Sequence, residues 1–137
     1  MNGRDFGKAV MIVALSFLCV GCAERTEHRT LNMERAQILL RLTDNYLPVD
    51  VRSEAEYDAG HIPGAILLPL KDIRDGRLEA LPDQEQSIMV YSETGQRSAE
   101  AAQLLTTLGY TRIYDIGGIV NWIGNLEADA GAEEAFG

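Results

Sequence analysis

The sequence predicts a single α/β domain with a parallel central sheet that is flanked by helices on both faces. Its 137 residues suffice for one domain of ordinary size. Between residues 30 and 124, short apolar runs typical of buried strands alternate with segments of helical periodicity. Because parallel strands are joined by crossover connections, usually helices, this alternation favours a parallel sheet over an antiparallel sandwich.

The domain is predicted to begin with a helix, a strand and a second, shorter helix. Apolar residues recur at helical spacing after Asn32, the expected N-cap, and predict a helix over 33–42. The compact apolar run 46–51 predicts a buried strand that ends at Asp50. A serine cap followed by an acidic first turn predicts a short helix over 53–59.

The second half of the domain repeats the alternation. Residues 70–82 predict a helix or an irregular connection, and one apolar face predicts a helix over 97–108. We expect Gly117-Gly118 to form a turn after the last strand. The remaining strands are predicted at the apolar runs 65–68, 87–91 and 112–116.

The N-terminus is predicted to be a signal peptide of the lipoprotein type, residues 1–21. A basic start precedes an apolar run, 9–20, that is too short for a comfortable membrane span. The ending "LCVGC" resembles a bacterial lipobox, in which Cys22 would be lipidated and anchor the chain in the cell envelope, on the periplasmic or extracytoplasmic side. A plain signal peptide and a retained anchor are the alternatives. We expect a polar tether at 22–30 and a flexible acidic tail at 125–137.

The composition restricts the chemistry that is available. A formal net charge of −9 and the lack of a basic patch argue against nucleic-acid binding. The two cysteines, Cys19 and Cys22, would be removed with the signal and lipidated, respectively. The mature chain would then have no free thiol and no disulfide. We predict no metal and no cofactor.

Three stretches together resemble the signatures of rhodanese-like domains, the sulfurtransferase family. They are "PVDVRSEAEYDAGHIPGAILLPL" (48–70), "VYSETGQRSAEAA" (90–102) and "LGYTRIYDIGGIVNW" (108–122). The resemblance covers about residues 30–124 and implies one rhodanese-like domain at 31–124. In this family the active-site loop reads Cys-x-x-Gly-x-Arg, and its cysteine carries a sulfane sulfur as a persulfide.

The resemblance places an anion-binding loop between a strand and a helix, where helix N–H groups are unpaired. Gly95 and Arg97 match the family's loop, but Ser92 occupies the position of the nucleophilic cysteine and Glu93 adds a negative charge. A serine oxygen cannot form a persulfide. The loop residues are Ser92, Glu93, Thr94, Gly95, Gln96 and Arg97.

A serine hydroxyl also needs an adjacent base to become a nucleophile. His61 belongs to the Gly-His-Ile-Pro-Gly-Ala motif, where we expect a structural hydrogen bond, and we expect Asp50 and Arg52 to brace the loop through an ion pair. Arg97 either contacts a bound anion or caps the loop. We therefore predict a membrane-tethered domain that lacks sulfur transfer and binds a small oxyanion, thiosulfate or sulfate, or a protein partner. The alternative is an enzyme, either sulfurtransferase-like or a hydrolase that depends on Ser92.

Overall fold

The computed structural model describes residues 27–129. The predicted signal peptide, Cys22, the first part of the tether and residues 130–137 lie outside the described residues. Within the part of the chain that is described, no helix has the length and apolar character needed to cross a membrane.

The domain is a five-stranded parallel sheet with helices on both faces, as the sequence predicts. The sheet order is β1-β5-β4-β2-β3 and every strand pair is parallel. The strands are β1 Arg29–Thr30, β2 Tyr46–Asp50, β3 Ile66–Leu67, β4 Ser87–Ser92 and β5 Ile113–Gly118. The helices are α1 Met33–Leu42, α2 Glu54–Ala59, α3 Leu70–Arg74 and α4 Gln96–Thr107, and a 3₁₀ turn follows at Ile119–Asn121.

Strand β4 is buried from Ile88 onward, and its apolar side chains alternate between two hydrophobic clusters. Ile88 and Val90 pack on one face of the sheet against α3 and α4. Met89 and Tyr91 pack on the opposite face against α1. This period of two is the geometry of a strand that is covered on both sides. This packing on both faces positions the carboxyl end of β4, where the loop begins.

The predicted N-caps are present in the first two helices. The Asn32 side chain accepts a hydrogen bond from the backbone N–H of Arg35, which fixes the start of α1. Ser53 and Glu56 form a reciprocal capping box at the start of α2. Gly60 is the C-cap of that helix.

Three strands have bounds that differ from the prediction. Strand β4 includes Ser92 as its last residue, and β5 continues through Gly117 and Gly118, which we expected to form a turn. The reason is that Ser92 pairs with Gly118 after an irregularity in the register, so both strands extend together. Strand β3 is shorter than predicted, at Ile66–Leu67.

The two ends of the domain are also more structured than predicted. Arg29–Thr30, assigned to the tether, pairs with β5 as strand β1. The first part of the expected flexible tail lies against the domain, because Glu127 and His61 exchange backbone hydrogen bonds of 2.8 and 2.9 Å. The Asp129 amide N–H also donates to the Asp58 carbonyl. These pairings satisfy backbone groups that a periodicity argument does not consider.

Candidate anion-binding site

The predicted loop lies at the carboxyl edge of the sheet, between β4 and α4. Gly95 is the N-cap of α4 and has a left-handed backbone with φ of 104°, a conformation that favours glycine. A side chain at Gly95 would also approach the Gly117 Cα to 3.3 Å. The loop's sharp turn into the helix therefore depends on this glycine.

The Ser92 hydroxyl oxygen is the acceptor for two backbone amides at the start of α4. Ser92 Oγ accepts hydrogen bonds from the backbone N–H of Gly95 at 3.1 Å and of Ser98 at 3.2 Å. The residue is only 1% exposed. Among residues 27–129, no histidine or carboxylate side chain is hydrogen-bonded to this oxygen. The site therefore holds a buried, hydrogen-bonded hydroxyl and no base that would activate it.

Ser98 and Asp115 fix the loop to β5, and sequence reasoning missed both. Ser98 Oγ donates to Asp115 Oδ1 at 2.8 Å, and the Gly117 amide donates to the same oxygen at 3.0 Å. The Ser98 side chain is fully buried. The available signal was Asp115, a single acid between the apolar residues of a strand, since a buried carboxylate needs partners.

Asp50 and Arg52 form the predicted ion pair, and both are buried. Arg52 Nε and NH2 donate to the Asp50 carboxylate at 2.8–3.1 Å, and NH2 also donates to the Gly60 carbonyl at 2.7 Å. Arg52 NH1 donates to Glu93 Oε2 at 3.1 Å. Burial acts to lower the pKa of Arg52, but the hydrogen bonds and charge of Asp50, together with Tyr91 and Glu93, outweigh it, so the pKa is raised. Arg52 thus joins the end of β2 to the loop.

Arg97 makes a two-pronged ion pair with Glu56, a partner that the sequence did not indicate. Its NH1 and NH2 donate to the two Glu56 carboxylate oxygens at 2.8 and 2.9 Å. The hydrogen bond from Arg97, helped by those from Ser53, lowers the pKa of Glu56 to about 2 despite partial desolvation. The same hydrogen bond raises the pKa of Arg97. Both contacts of the Arg97 guanidinium therefore go to α2, and its predicted roles as an anion contact or a loop cap stay predictions.

His61 makes structural contacts with Tyr57 and Glu127, and none of its hydrogen bonds is to Ser92. Its ring stacks on Tyr57 with centroids 3.8 Å apart, and Nδ1 is 2.9 Å from the Tyr57 carbonyl oxygen. Nε2 is 3.7 Å from Glu127 Oε2. The hydroxyl of buried Tyr91 accepts a hydrogen bond from the Ile62 amide. Burial and the nearby Asp50 raise the pKa of Tyr91, which stays neutral.

The site therefore combines backbone amides that have no hydrogen-bond partner with two arginines that already bind carboxylates. Among the described residues, the amides of Thr94, Gln96 and Arg97 have no hydrogen-bond partner. Such amides at the start of a helix favour a bound anion. Residues 27–129 contain no group of three His, Cys, Asp or Glu side chains placed to hold a metal ion.

Comparisons with known proteins agree with this architecture. The family model for the rhodanese-like domain matches residues 35–125. The thiosulfate sulfurtransferase PspE of Escherichia coli K12 is 35% identical over 71 residues, which are 52% of this chain and 68% of that protein. This chain therefore belongs to the family of rhodanese-like domains.

Solved structures show the same fold. A structure of an E. coli rhodanese with anions is 30% identical, with a TM-score of 0.55, and the match covers 61% of this chain and 98% of that one. A human single-domain sulfurtransferase is 26% identical, with a TM-score of 0.58, and the match covers 67% of this chain and 91% of that one. The curated and structural relatives thus include sulfurtransferases.

Proposed function

We propose that this chain is a membrane-tethered rhodanese-like domain that does not transfer sulfur and instead binds a small oxyanion or a protein partner through residues 92–97. The observation that carries this proposal is the Ser92 oxygen, which accepts the amides of Gly95 and Ser98 at the position where the sequence predicts the family's cysteine. The loop architecture is therefore kept without the atom that the family's chemistry requires.

Catalytic silence follows from the absent thiol. Sulfur transfer in the family needs a cysteine thiolate that becomes a persulfide, and residues 27–129 contain no cysteine. A hydrolytic role for Ser92 has no support in the geometry, since no base is bonded to its hydroxyl within the described residues. The E. coli relative is a thiosulfate sulfurtransferase. We do not extend that activity to this chain, because residues 27–129 have no cysteine that could form a persulfide.

Oxyanion binding is supported by the unpartnered amides at the start of α4. These amides and the dipole of a 12-residue helix attract a negative group. The affinity is expected to be weak because both arginines of the site already bind carboxylates. A sulfate, a thiosulfate or an acidic side chain of a partner protein has the required chemistry.

An NMR titration of the wild-type protein with sulfate and thiosulfate tests the binding role. We expect saturable shifts of the backbone amides of residues 93–98 and none at the opposite end of the sheet. Sodium chloride of matched ionic strength is the control for screening. If the loop amides respond to neither anion, oxyanion binding is excluded, and a protein partner is the ligand class that the proposal retains.

The membrane tether is proposed from the sequence "LCVGC" and Cys22. Several acyl chains on one cysteine would hold the domain firmly, since each buried methylene contributes about 0.8 kcal/mol. Mass spectrometry of the N-terminal peptide tests this proposal. We expect a lipidated peptide that begins at Cys22, and a chain that still begins at Met1, or an unmodified Cys22, would contradict it.

A further inference from the structure

Glu93 occupies an unusual place in the loop, because its backbone is held while its side chain remains accessible. The Glu93 carbonyl accepts a hydrogen bond from the Val120 amide at 3.4 Å. Gly118 lies directly behind it, so close that a Cβ there would be 2.5 Å from the Glu93 carbonyl oxygen. The carboxylate, with 46% of the side chain exposed, points to Arg52. The loop thus presents a negative group to a buried cation.

Arg52 can reach a ligand through only one part of its guanidinium. Nε and NH2 are bound to Asp50 and to the Gly60 carbonyl, and the residue is 5% exposed. NH1 is the group on the side of the loop, and Glu93 Oε2 is its partner at 3.1 Å. NH1 carries two N–H groups and Glu93 accepts from one of them, so an external anion that uses the charge of Arg52 must share NH1 with Glu93 or replace it.

We infer that Glu93 is a built-in anion that competes with an external oxyanion for NH1 of Arg52 and thereby sets the anion affinity of the loop. This inference rests on the proposed oxyanion binding. A tethered carboxylate has a high effective concentration at its partner, so a free ion competes poorly with it. It also repels an approaching anion. With 46% of its side chain exposed, Glu93 can turn toward solvent and release NH1 of Arg52.

The test is the affinity for sulfate of wild-type protein, Glu93→Ala and the control Glu100→Ala, measured by NMR titration at low ionic strength. Glu100 lies on α4 and pairs with exposed Arg74, so its replacement removes the same charge without freeing Arg52. We expect Glu93→Ala to bind sulfate about tenfold more tightly than wild type, because one charge-assisted hydrogen bond becomes available. Glu100→Ala should change the affinity less than twofold.

A second readout identifies the contact itself. The side-chain ¹⁵N resonances of Arg52 should shift on addition of sulfate in Glu93→Ala and much less in the wild type. Glu93→Gln, which keeps the side-chain length, should also bind more tightly and guards against a disturbed loop in the alanine variant.

Equal affinities in Glu93→Ala and wild type, or an equal gain in Glu100→Ala, would overturn the inference. The wild-type titration alone tests the proposed oxyanion binding, and the comparison of variants tests the role of Glu93. A failure of the proposed function is therefore distinguished from a failure of the inference.

Discussion

The Ser92 oxygen has a structural role as a hydrogen-bond acceptor. It satisfies the amides of Gly95 and Ser98 inside the domain. We predict that Ser92→Ala destabilises the protein by about 1–3 kcal/mol, because the buried Ser98 amide and the partly buried Gly95 amide lose their acceptor. Urea unfolding measures this cost. Ser87→Ala, at the other end of β4, is the matched control and should cost less than about 0.5 kcal/mol. Equal costs for the two variants would contradict the role.

Asp50 is the buried partner on which Arg52 depends. We predict that Asp50→Asn destabilises the protein by about 3–5 kcal/mol, because it leaves a buried guanidinium without its main counter-charge. Asp72→Asn breaks an exposed pair with Arg77 and should cost less than about 1 kcal/mol. Urea unfolding of both variants measures the difference. A cost for Asp50→Asn as small as that for Asp72→Asn would contradict the prediction.

At the scale of elements, β5 and the loop meet through two adjacent glycines that are needed for different reasons. Gly118 has ordinary backbone angles, but a Cβ would be 2.5 Å from the Glu93 carbonyl oxygen and 2.7 Å from the Thr94 Cα. Gly117 has open space around it and φ of +84°. We predict that Gly118→Ala costs about 1–3 kcal/mol through overpacking and displaces the loop.

Gly117→Ala is the matched control, with a conformational cost of about 1–2 kcal/mol and an undisturbed loop. Amide NMR shifts of residues 92–98 distinguish the two variants. Loop shifts that are equally large in both variants would show that the close approach of Gly118 is not what positions the loop.

Helices α2 and α4 are joined by the pair Glu56–Arg97, and this pair gives a predictable pH dependence. The pKa of Glu56 is lowered to about 2, so its stabilisation is complete above the ordinary value of 4.5 and is lost as the pH falls through about 2. Since 34% of the Glu56 side chain is exposed, screening should limit this contribution to about 1 kcal/mol.

NMR titration of the Glu56 carboxyl carbon should give a midpoint near pH 2 in the wild type. In Arg97→Gln the midpoint should rise toward the ordinary range. A wild-type midpoint above pH 4 would show that the pair does not persist in solution.

Elements with a strong local signal were predictable from the sequence. Helix α1 follows an N-cap and an amphipathic pattern, and β4 is a continuous apolar run, so short-range physics defines both. Strand β1 has only two residues and exists because β5 offers it a free edge. The pairing of Glu127 with His61 is likewise a long-range backbone contact. Neither of these has a periodicity to detect.

In the whole molecule, the site lies where the carboxyl ends of β2, β4 and β5 come together. Its residues were predictable from the sequence to different degrees. The family motifs indicated Asp50, Arg52 and the loop. They did not indicate that Glu56 binds Arg97, because a sequence separation of 41 residues carries no signal of its own. The prediction therefore identified the positions, and the structure supplied the pairing of their charges.

The central claim is that the fold remains a rhodanese-like cradle while Ser92 removes its sulfur chemistry. The most direct measurement is a thiosulfate:cyanide turnover assay on wild-type protein beside Ser92→Cys, with Cys19 and Cys22 replaced by alanine in both. A control, Ser87→Cys, places a thiol at the other end of β4. A thiol in the loop would be activated by the amides that now bind Ser92. We predict turnover by Ser92→Cys and none above background by the wild type or Ser87→Cys. Wild-type turnover at a rate similar to that of Ser92→Cys would contradict the account.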